Sequence, residues 1–407
     1  MKLRILACTV FFLTLTALLP RIFRAQSPSS EPDPYLTAHE WGTFTSIAGK
    51  DGHAVEWLPL TGSTDLPSFV EHFSGVAFKG GLLGTVRMET PVLYFYTNRE
   101  TTVSVHVSFS KGLITEWYPR ASHVYPVSAV APKFANFSDW SLYQKHPDGS
   151  IAWDSVELQP RNSAEFPSEN RANHYYAARQ TASTPLQIKT SNGVQTEKFL
   201  FYRGVSTFAV PISVTIHSDG SLLAENLTDP AIAVMLLFER RGHKLGFRIA
   251  PPSDTNPTLD PPELNAHMDS LKLAVVDMLI AQGLYQDEAQ AMFETWRDSW
   301  FEEGSRLLYI VPRQFVDSVL PLSINPAPAQ LVRVFVGRLE LVTPATQRAV
   351  EQALTTHDQT TLARYGRFLV PIIENMIAKE KNSAKKAKLF EYLNNASKAQ
   401  ITQNTLN

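Results

Sequence analysis

The sequence contains one cysteine among its 407 residues, and only 19% of its residues are charged. Cys8 lies in an apolar N-terminal segment, so the remaining chain has no thiol for catalysis, for a Cys₄ zinc site or for iron–sulfur ligation. The HExxH, GxSxG, GxGxxG and P-loop patterns are also missing from the sequence. We therefore predict no cofactor and no local metal motif, although a site assembled from distant segments would escape such a search.

The N-terminal segment predicts export. Residues 5–19 form an apolar run that follows two basic residues and ends at Pro20. This is the length of a signal-peptide core and is short for a membrane span. We predict a signal peptide over residues 1–27, cleaved after Ala25 or Ser27, and a secreted or periplasmic location. The alternative is an inner-membrane protein that is anchored by residues 5–19.

The charge of the processed chain bears on its partners. Removal of residues 1–27 takes away four basic residues and no acid, which leaves 33 basic against 39 acidic residues and a net charge of −6. A mildly acidic chain without a basic tract does not predict nucleic acid as a partner. Membrane contact is expected only if the N-terminal segment stays uncleaved.

Strand patterns dominate the first half of the chain. Residues 102–109 (TVSVHVSF) alternate between apolar and polar side chains, and similar short runs are separated by Gly, Pro, Asn and Asp. After residues 251–262, which include five prolines, the period becomes helical over residues 263–282, 287–303, 345–354 and 360–379.

These patterns predict an α+β fold in which a mostly antiparallel β-sandwich region precedes a mixed helical and strand region. The predicted segments are a flexible leader (28–38), a β-sandwich-like domain (39–250), a Pro-rich linker (251–262), an α/β helical domain (263–379) and a polar tail (380–407).

Acids adjoin most of the tryptophans. Five of the seven tryptophans directly follow or precede an acid, as in the pairs at 40–41, 56–57, 116–117, 139–140 and 153–154. Carboxylates bind or protonate sugar hydroxyls, and aromatic rings stack on sugar C–H faces. On a strand, however, neighbours point to opposite faces, so such a pair also fits a core Trp beside a solvated acid.

Turns and strand ends are the places where both members of such a pair could face one cleft. We predict that Glu40, Glu89 and Glu116 converge there as catalytic carboxylates, with His39, Trp41, Trp117 and Arg120 binding a substrate. Simple ion pairs of Glu116 with Arg120, or of Glu89 with Arg87, are the alternative.

The helix predicted over residues 287–303 ends on two acids, Glu302 and Glu303. Negative charge in a last helical turn is unfavourable, so a compensating group is expected. We favour structural arginine pairing, for example by Arg306, at the interface with the β region. A functional carboxylate cluster is the alternative.

Several segments together resemble a family of secreted bacterial proteins. They are residues 39–45 (HEWGTFT), 88–96 (METPVLYFY), 113–120 (LITEWYPR), 298–311 and 326–343. That family is uncharacterised, so the resemblance implies a bacterial, exported setting and assigns no catalytic role.

Three functions remain open from the sequence. The first is an exported protein that binds or hydrolyses a glycan through the carboxylates above. The second is a non-catalytic cell-envelope protein that interacts with an envelope ligand and whose aromatic residues are all core. The third is a metal-dependent hydrolase with a dispersed site, for example His39, Glu40, Glu89 and His123.

Overall fold

The computed structural model describes residues 32–61, 66–72, 82–125, 148–161, 164–170, 173–250 and 256–406. Its strands are β1 (Asp33–Ile47), β2 (Glu71–His72), β3 (Val86–Tyr96), β4 (Thr101–Phe109), β5 (Gly112–Tyr118), β6 (His123–Tyr125), β7 (Gly149–Leu158), β8 (Leu186–Thr190), β9 (Gly193–Glu197), β10 (Phe199–Ser206), β11 (Ile212–Ile216), β12 (Leu222–Asn226), β13 (Met235–Arg241), β14 (Lys244–Ala250), β15 (Thr258–Leu259), β16 (Gly304–Ile310), β17 (Leu322–Asn325) and β18 (Pro328–Leu341). Its α-helices are α1 (Met268–Ile280), α2 (Gln286–Trp300), α3 (Arg313–Val319), α4 (Pro344–Thr356), α5 (Gln359–Ala363), α6 (Leu369–Lys379) and α7 (Ser383–Leu406), and 3₁₀ helices span His174–Arg179 and Gly366–Phe368.

A nine-stranded sheet, here called the central sheet, organises the fold. Its strand order is β14-β13-β16-β18-β1-β3-β10-β5-β2. β1 and β18 run parallel at its centre, and the other neighbours are antiparallel. A six-stranded sheet (β17-β4-β7-β8-β9, with β6 beside β7) and a three-stranded sheet (β11-β12-β15) complete the β structure. The predicted α+β class is confirmed, with 41% strand and 27% helix.

One face of the central sheet, here called the sandwich face, packs against the two smaller sheets. Ala38, Phe44 and Met88 of the central sheet share one apolar cluster with Val103 and Val105 of β4. The alternation predicted over residues 102–109 is confirmed, because its apolar members are buried and its polar members are not. Apolar side chains at every second position therefore build the sandwich.

The opposite face, here called the helix face, carries two separate apolar clusters. One joins Trp41 and Val92 to α1, α2 and the first 3₁₀ helix. The other joins Ile47 and Trp57 to the C-terminal helices α4 to α7. Because both faces are covered, the strands at the centre of the sheet have almost no exposed positions.

The central sheet takes strands from both sides of the Pro-rich residues 251–262. β1 pairs with β18 over twelve residue pairs, and β13 pairs with β16. Residues 33–38, which were expected in the flexible leader, lie in β1 because β18 offers them a hydrogen-bonding partner. Within the Pro-rich stretch, β15 pairs with β12. The predicted signal peptide and Trp140 lie outside the described residues.

The helix boundaries differ from the predicted ones for identifiable reasons. α1 starts at Met268 because the preceding Ala266 still pairs with Leu245 as extended chain. The stretch predicted as one helix over 360–379 is divided into α5, a 3₁₀ turn and α6, and Pro371 lies in the first turn of α6, where its missing N–H costs nothing. Across the described part of the chain, every helix is too short or too polar to span a membrane.

Candidate functional site

Glu40 lies on the sandwich face and is completely buried. Its carboxylate accepts a hydrogen bond from the Tyr202 hydroxyl and one of 2.6 Å from Arg333 Nε. Arg333 also donates to Asp317 of α3 at 2.8 Å. Glu40 is therefore part of an ion pair inside the sandwich.

His39 and Trp41 point away from Glu40, as alternation along β1 requires. His39 Nδ1 lies 2.8 Å from Glu288 Oε2 of α2, and the other oxygen of Glu288 accepts a 2.7 Å bond from Tyr96. Trp41 is buried in the apolar cluster beneath α1 and α2. These two side chains fix α2 against the sheet.

Glu116 lies on the helix face, where it pairs with Arg87 at 2.8 Å rather than with Arg120. Trp117 turns to the sandwich face, and its indole donates to Glu71 at 3.1 Å. Arg120 is half exposed, and its nearest carboxylate is that of Glu71 at 3.9 Å. The pair expected between Glu116 and Arg120 is wrong, because Arg87 projects from the same face of the sheet as Glu116.

Glu89 is buried on the helix face and pairs with Arg367. It also accepts a 2.7 Å hydrogen bond from Thr45. The expected pair of Glu89 with Arg87 is therefore wrong, since Arg87 is used by Glu116.

The predicted convergence of Glu40, Glu89 and Glu116 does not occur. Glu89 and Glu116 share the helix face, whereas Glu40 lies on the sandwich face, on the other side of the β-strands. The four side chains of the proposed dispersed metal site do not converge either, because His123 pairs with Asp154 at the surface. Among the described residues, no three His, Cys, Asp or Glu side chains form a group that would hold a metal ion.

Charged residues form a continuous stripe across the helix face, between its two apolar clusters. We call this stripe the arginine belt, and its members are Arg87, Glu89, Glu116, Arg203, Glu302, Arg306, Arg338, Glu340 and Arg367. Cross-strand register brings them together, since Arg306 is opposite Glu340 and Arg203 is opposite Glu116. Thr45 of β1 lies between Arg338 on one side and Arg87 on the other.

Hydrogen bonds connect the belt to the helices above it. Arg338 Nη2 donates to Glu302 at 2.7 Å and to Glu340 at 3.4 Å. Arg306 Nε donates to Glu340 at 3.0 Å, and its other nitrogens donate to the carbonyls of Trp300, Glu302 and Glu303. α2 ends at Trp300, so Glu302 and Glu303 lie beyond its last turn, and the Glu302 carboxylate is paired by Arg338 rather than by Arg306.

Several buried donors of the belt and its neighbours lack a partner within the described part of the chain. They include Nε and Nη1 of Arg338, Oγ1 of Thr43 and the indole nitrogens of Trp296 and Trp300. Thr43 is next to Glu89 in the register of β1 and β3. Trp296 lies near Arg203, whose guanidinium is 5.9 Å from the indole ring. Each buried donor without a partner costs about 1–3 kcal/mol, so the belt is short of acceptors.

Two members of the belt, Glu89 and Arg338, are held in their charged forms. Burial alone would raise the pKa of Glu89, but Arg367, Arg338 and Arg203, together with the Thr45 hydrogen bond, lower that pKa below its usual 4.5. Burial opposes the charge on Arg338, but Glu302, Glu340 and Glu89 outweigh it and raise the pKa of the guanidinium. Two charged partners thus hold each other ionised in a buried setting.

Some members of the belt are partly exposed to solvent, and others are sealed. The exposed side-chain fractions of Glu116, Arg367 and Glu302 are 18%, 21% and 27%, whereas that of Arg338 is 0%. Aromatic rings flank the arginines, since the Arg338 guanidinium is 4.5 Å from Phe368 and that of Arg367 is 5.5 Å from Trp57. Ring faces and carboxylates therefore hold these arginines in fixed positions.

Sequence reasoning missed most of the belt. Arg338 and Glu340 alternate with apolar residues in β18, which normally indicates a solvated face. Charged residues recur in strands whose apolar pattern is otherwise typical of the protein interior, and Arg203 in β10 is an example. This recurrence was the signal that the sequence contained.

Two comparisons with known proteins found no match. No protein family model matches the chain, and no curated protein matches it. The resemblance to the secreted bacterial family therefore stays a prediction.

Proposed function

We propose that this protein binds an anionic ligand, and that the arginine belt holds the acidic group of that ligand. The observation that carries the proposal is Arg338, which is fully buried, is held in its charged form and has no acceptor among the described residues at two of its three nitrogens. An anion would supply the missing acceptors. Hydrogen bonds to a charged group contribute about 1.5–3 kcal/mol each, which is enough to support specific binding.

Charge balance supports the same proposal. The belt contains five arginines and four glutamates, which is an excess of one positive charge when all nine side chains are ionised. A bound carboxylate would neutralise that charge. An acidic saccharide is the ligand class that joins this chemistry to the glycan ligand expected from the sequence, and we keep the exported setting as part of the proposal.

Glycan hydrolysis by Glu89 and Glu116 is less well supported. A general acid needs a raised pKa, whereas the pKa of Glu89 is lowered. Both carboxylates are also neutralised by arginines, and Glu40 is on the other face of the sheet.

A purely structural belt is the second candidate. The observation in its favour is the Arg367–Glu89 pair, which ties the C-terminal helical layer to β3. In that case the belt would fasten the helices to the sheet in a non-catalytic envelope protein, and no small anion would bind.

Calorimetric titration of the purified protein at low salt distinguishes the two candidates. We expect saturable binding of glucuronate, galacturonate or citrate and no binding of neutral glucose. The variant Arg338→Lys keeps the charge but removes N–H donors, so affinity should fall about tenfold to a hundredfold, the equivalent of one to two charged hydrogen bonds.

Arg333→Lys is the matched control, because Arg333 is a buried arginine of the sandwich face. We expect it to lower stability without changing the affinity for the anion. Equal loss of affinity in both variants, or no binding of any carboxylate, would favour the structural belt.

A further inference from the structure

A polar pocket opens on the outer side of α2, where the first 3₁₀ helix packs against it. Its volume is about 400 Å³, within the range of small-molecule sites. Amide side chains contribute to three parts of its wall, namely Asn173 and Gln180 at the two ends of the 3₁₀ helix and Gln290 on α2. The pocket is separate from the residues of the arginine belt.

The amides of this pocket are available for a ligand. Asn173 uses its Oδ1 to accept the backbone N–H of Tyr175 at 2.8 Å, which caps the 3₁₀ helix and leaves the amide NH₂. Gln180 and Gln290 are exposed, and neither side chain hydrogen-bonds to another described residue. An amide donates and accepts at once, which suits a hydroxyl that also does both.

A fixed carboxylate forms another part of the wall. Glu294 accepts a 2.5 Å bond from Lys272 of α1 and a 3.1 Å bond from Arg297 of its own helix. One cation from α1 and one from α2 orient the carboxylate, and each cation keeps N–H donors for a ligand. The wall therefore presents acceptors and donors in set positions.

Tyr176 supplies an apolar surface next to these polar groups. Its ring lines the pocket and is half-buried, with the Arg179 guanidinium 4.9 Å from the ring centre. Its hydroxyl accepts the backbone N–H of Glu169 at 3.0 Å, so the ring is held in place. An aromatic ring beside amides and a carboxylate matches a molecule that alternates C–H faces with hydroxyls.

We propose that this pocket is a binding site for a neutral saccharide, one or two sugar units in size. The amides of Asn173, Gln180 and Gln290 bind hydroxyls, Glu294 accepts from a further hydroxyl, and the Tyr176 ring contacts a C–H face. The site is independent of the anion site proposed above, because none of its lining residues belongs to the belt.

Protein-observed NMR titration with glucose, galactose, N-acetylglucosamine and maltose tests the proposal. We expect saturable shifts with at least one of these sugars, at millimolar dissociation constants and centred on α2 and the 3₁₀ helix. Gln290→Ala should weaken that binding at least fivefold. Asn173→Asp should weaken it similarly, because the variant keeps the capping oxygen but loses the NH₂ donor.

Gln286→Ala is the matched control, since Gln286 lies one turn earlier on the same helix and outside the pocket. Thr43→Val, a change in β1 beside the belt, should also leave sugar binding unchanged, which separates this site from the anion site. Absence of saturable shifts with all four sugars overturns the proposal. Binding that both pocket variants leave intact overturns it as well.

Discussion

The two faces of the central sheet both bury charge, but they neutralise it differently. On the sandwich face, Glu40 accepts from Tyr202 and Arg333, and Arg333 continues to Asp317. On the helix face, Arg338 shares one nitrogen between Glu302 and Glu340. Its two other nitrogens have no described partner, compared with one nitrogen of Arg333.

The difference separates a structural ion pair from a candidate binding site. A buried carboxylate with both oxygens occupied has nothing left to offer a ligand, and its removal exposes the partner charge. Buried N–H donors without a described acceptor differ from such a carboxylate, because an incoming anion would accept hydrogen bonds from them. The same sheet thus carries an arginine with most of its donors paired on one face and an arginine with two unpaired donors among the described residues on the other.

Glu40→Gln should give the largest effect. The amide cannot neutralise Arg333, which would keep only Asp317 as a partner, so the free energy of unfolding should fall by about 3–5 kcal/mol. Urea denaturation followed by circular dichroism measures this loss. Glu157→Gln is the control, because Glu157 pairs with an exposed lysine and its loss should cost at most about 1 kcal/mol.

A nearly unchanged unfolding curve for Glu40→Gln would contradict the structural role. If the same variant also lost ligand binding, the result would support the catalytic role that the sequence pattern predicted for Glu40.

The fold was largely accessible from the sequence because periodicity reports which side chains are buried together. The apolar positions of β4 identified one inner layer of the sandwich, and the change of period after residue 262 identified α1 and α2. The parallel pairing of β1 with β18 was not accessible. The two strands are about 290 residues apart in the sequence, and the apolar pattern of a strand does not show which other strand it pairs with.

The site was less accessible, for a related reason. The Glu40–Trp41 pair was interpreted as core plus solvent or as one cleft, but a sheet covered on both faces offers a third outcome, in which both residues are buried on opposite sides. The partner of Glu89 is Arg367, and the partner of Glu116 is Arg87. Such distant pairings depend on the assembled sheet, so local spacing pointed to the wrong arginines.

Acid titration should produce an intermediate effect that is specific to the helix face. Because the pKa of Glu89 is lowered in the folded state, the unfolded state takes up a proton first as the pH falls. The stabilisation from Glu89 is therefore complete above about pH 4.5 and is lost as the pH falls through the lower, folded-state pKa.

Urea midpoints measured from pH 7 to pH 2 would test this. The stability of the unmodified protein should fall more steeply below pH 4.5 than that of Glu89→Gln, so the two curves should approach each other in acid. Arg367→Gln removes the strongest charge that lowers this pKa, and should move the loss to higher pH. Curves that stay parallel over the whole range would show that Glu89 is not held ionised by the belt.

Thr43→Val should have the smallest effect on stability and the most informative effect on binding. Thr43 is fully buried in β1, and its hydroxyl has no partner among the described residues. Replacing it with an apolar group of the same shape removes that unpaired hydroxyl, so the free energy of unfolding should stay the same or rise by about 1 kcal/mol. If an anion occupies the belt, the lost donor should still weaken its binding severalfold.

Ser46→Ala is the closest matched control for Thr43→Val, because it makes a similar change on the other face of the sheet. Ser46 is on the same strand, is equally buried and also has a hydroxyl without a described partner, but it points to the sandwich face together with Phe44. Its replacement should be as mild for stability and should leave anion affinity unchanged. Calorimetric titration of the two variants therefore tests whether removing a hydroxyl without a described partner lowers the anion affinity only on the helix face. If the two variants bind the anion equally well, neither hydroxyl contacts a ligand. That result would contradict the proposal that the belt binds an anion.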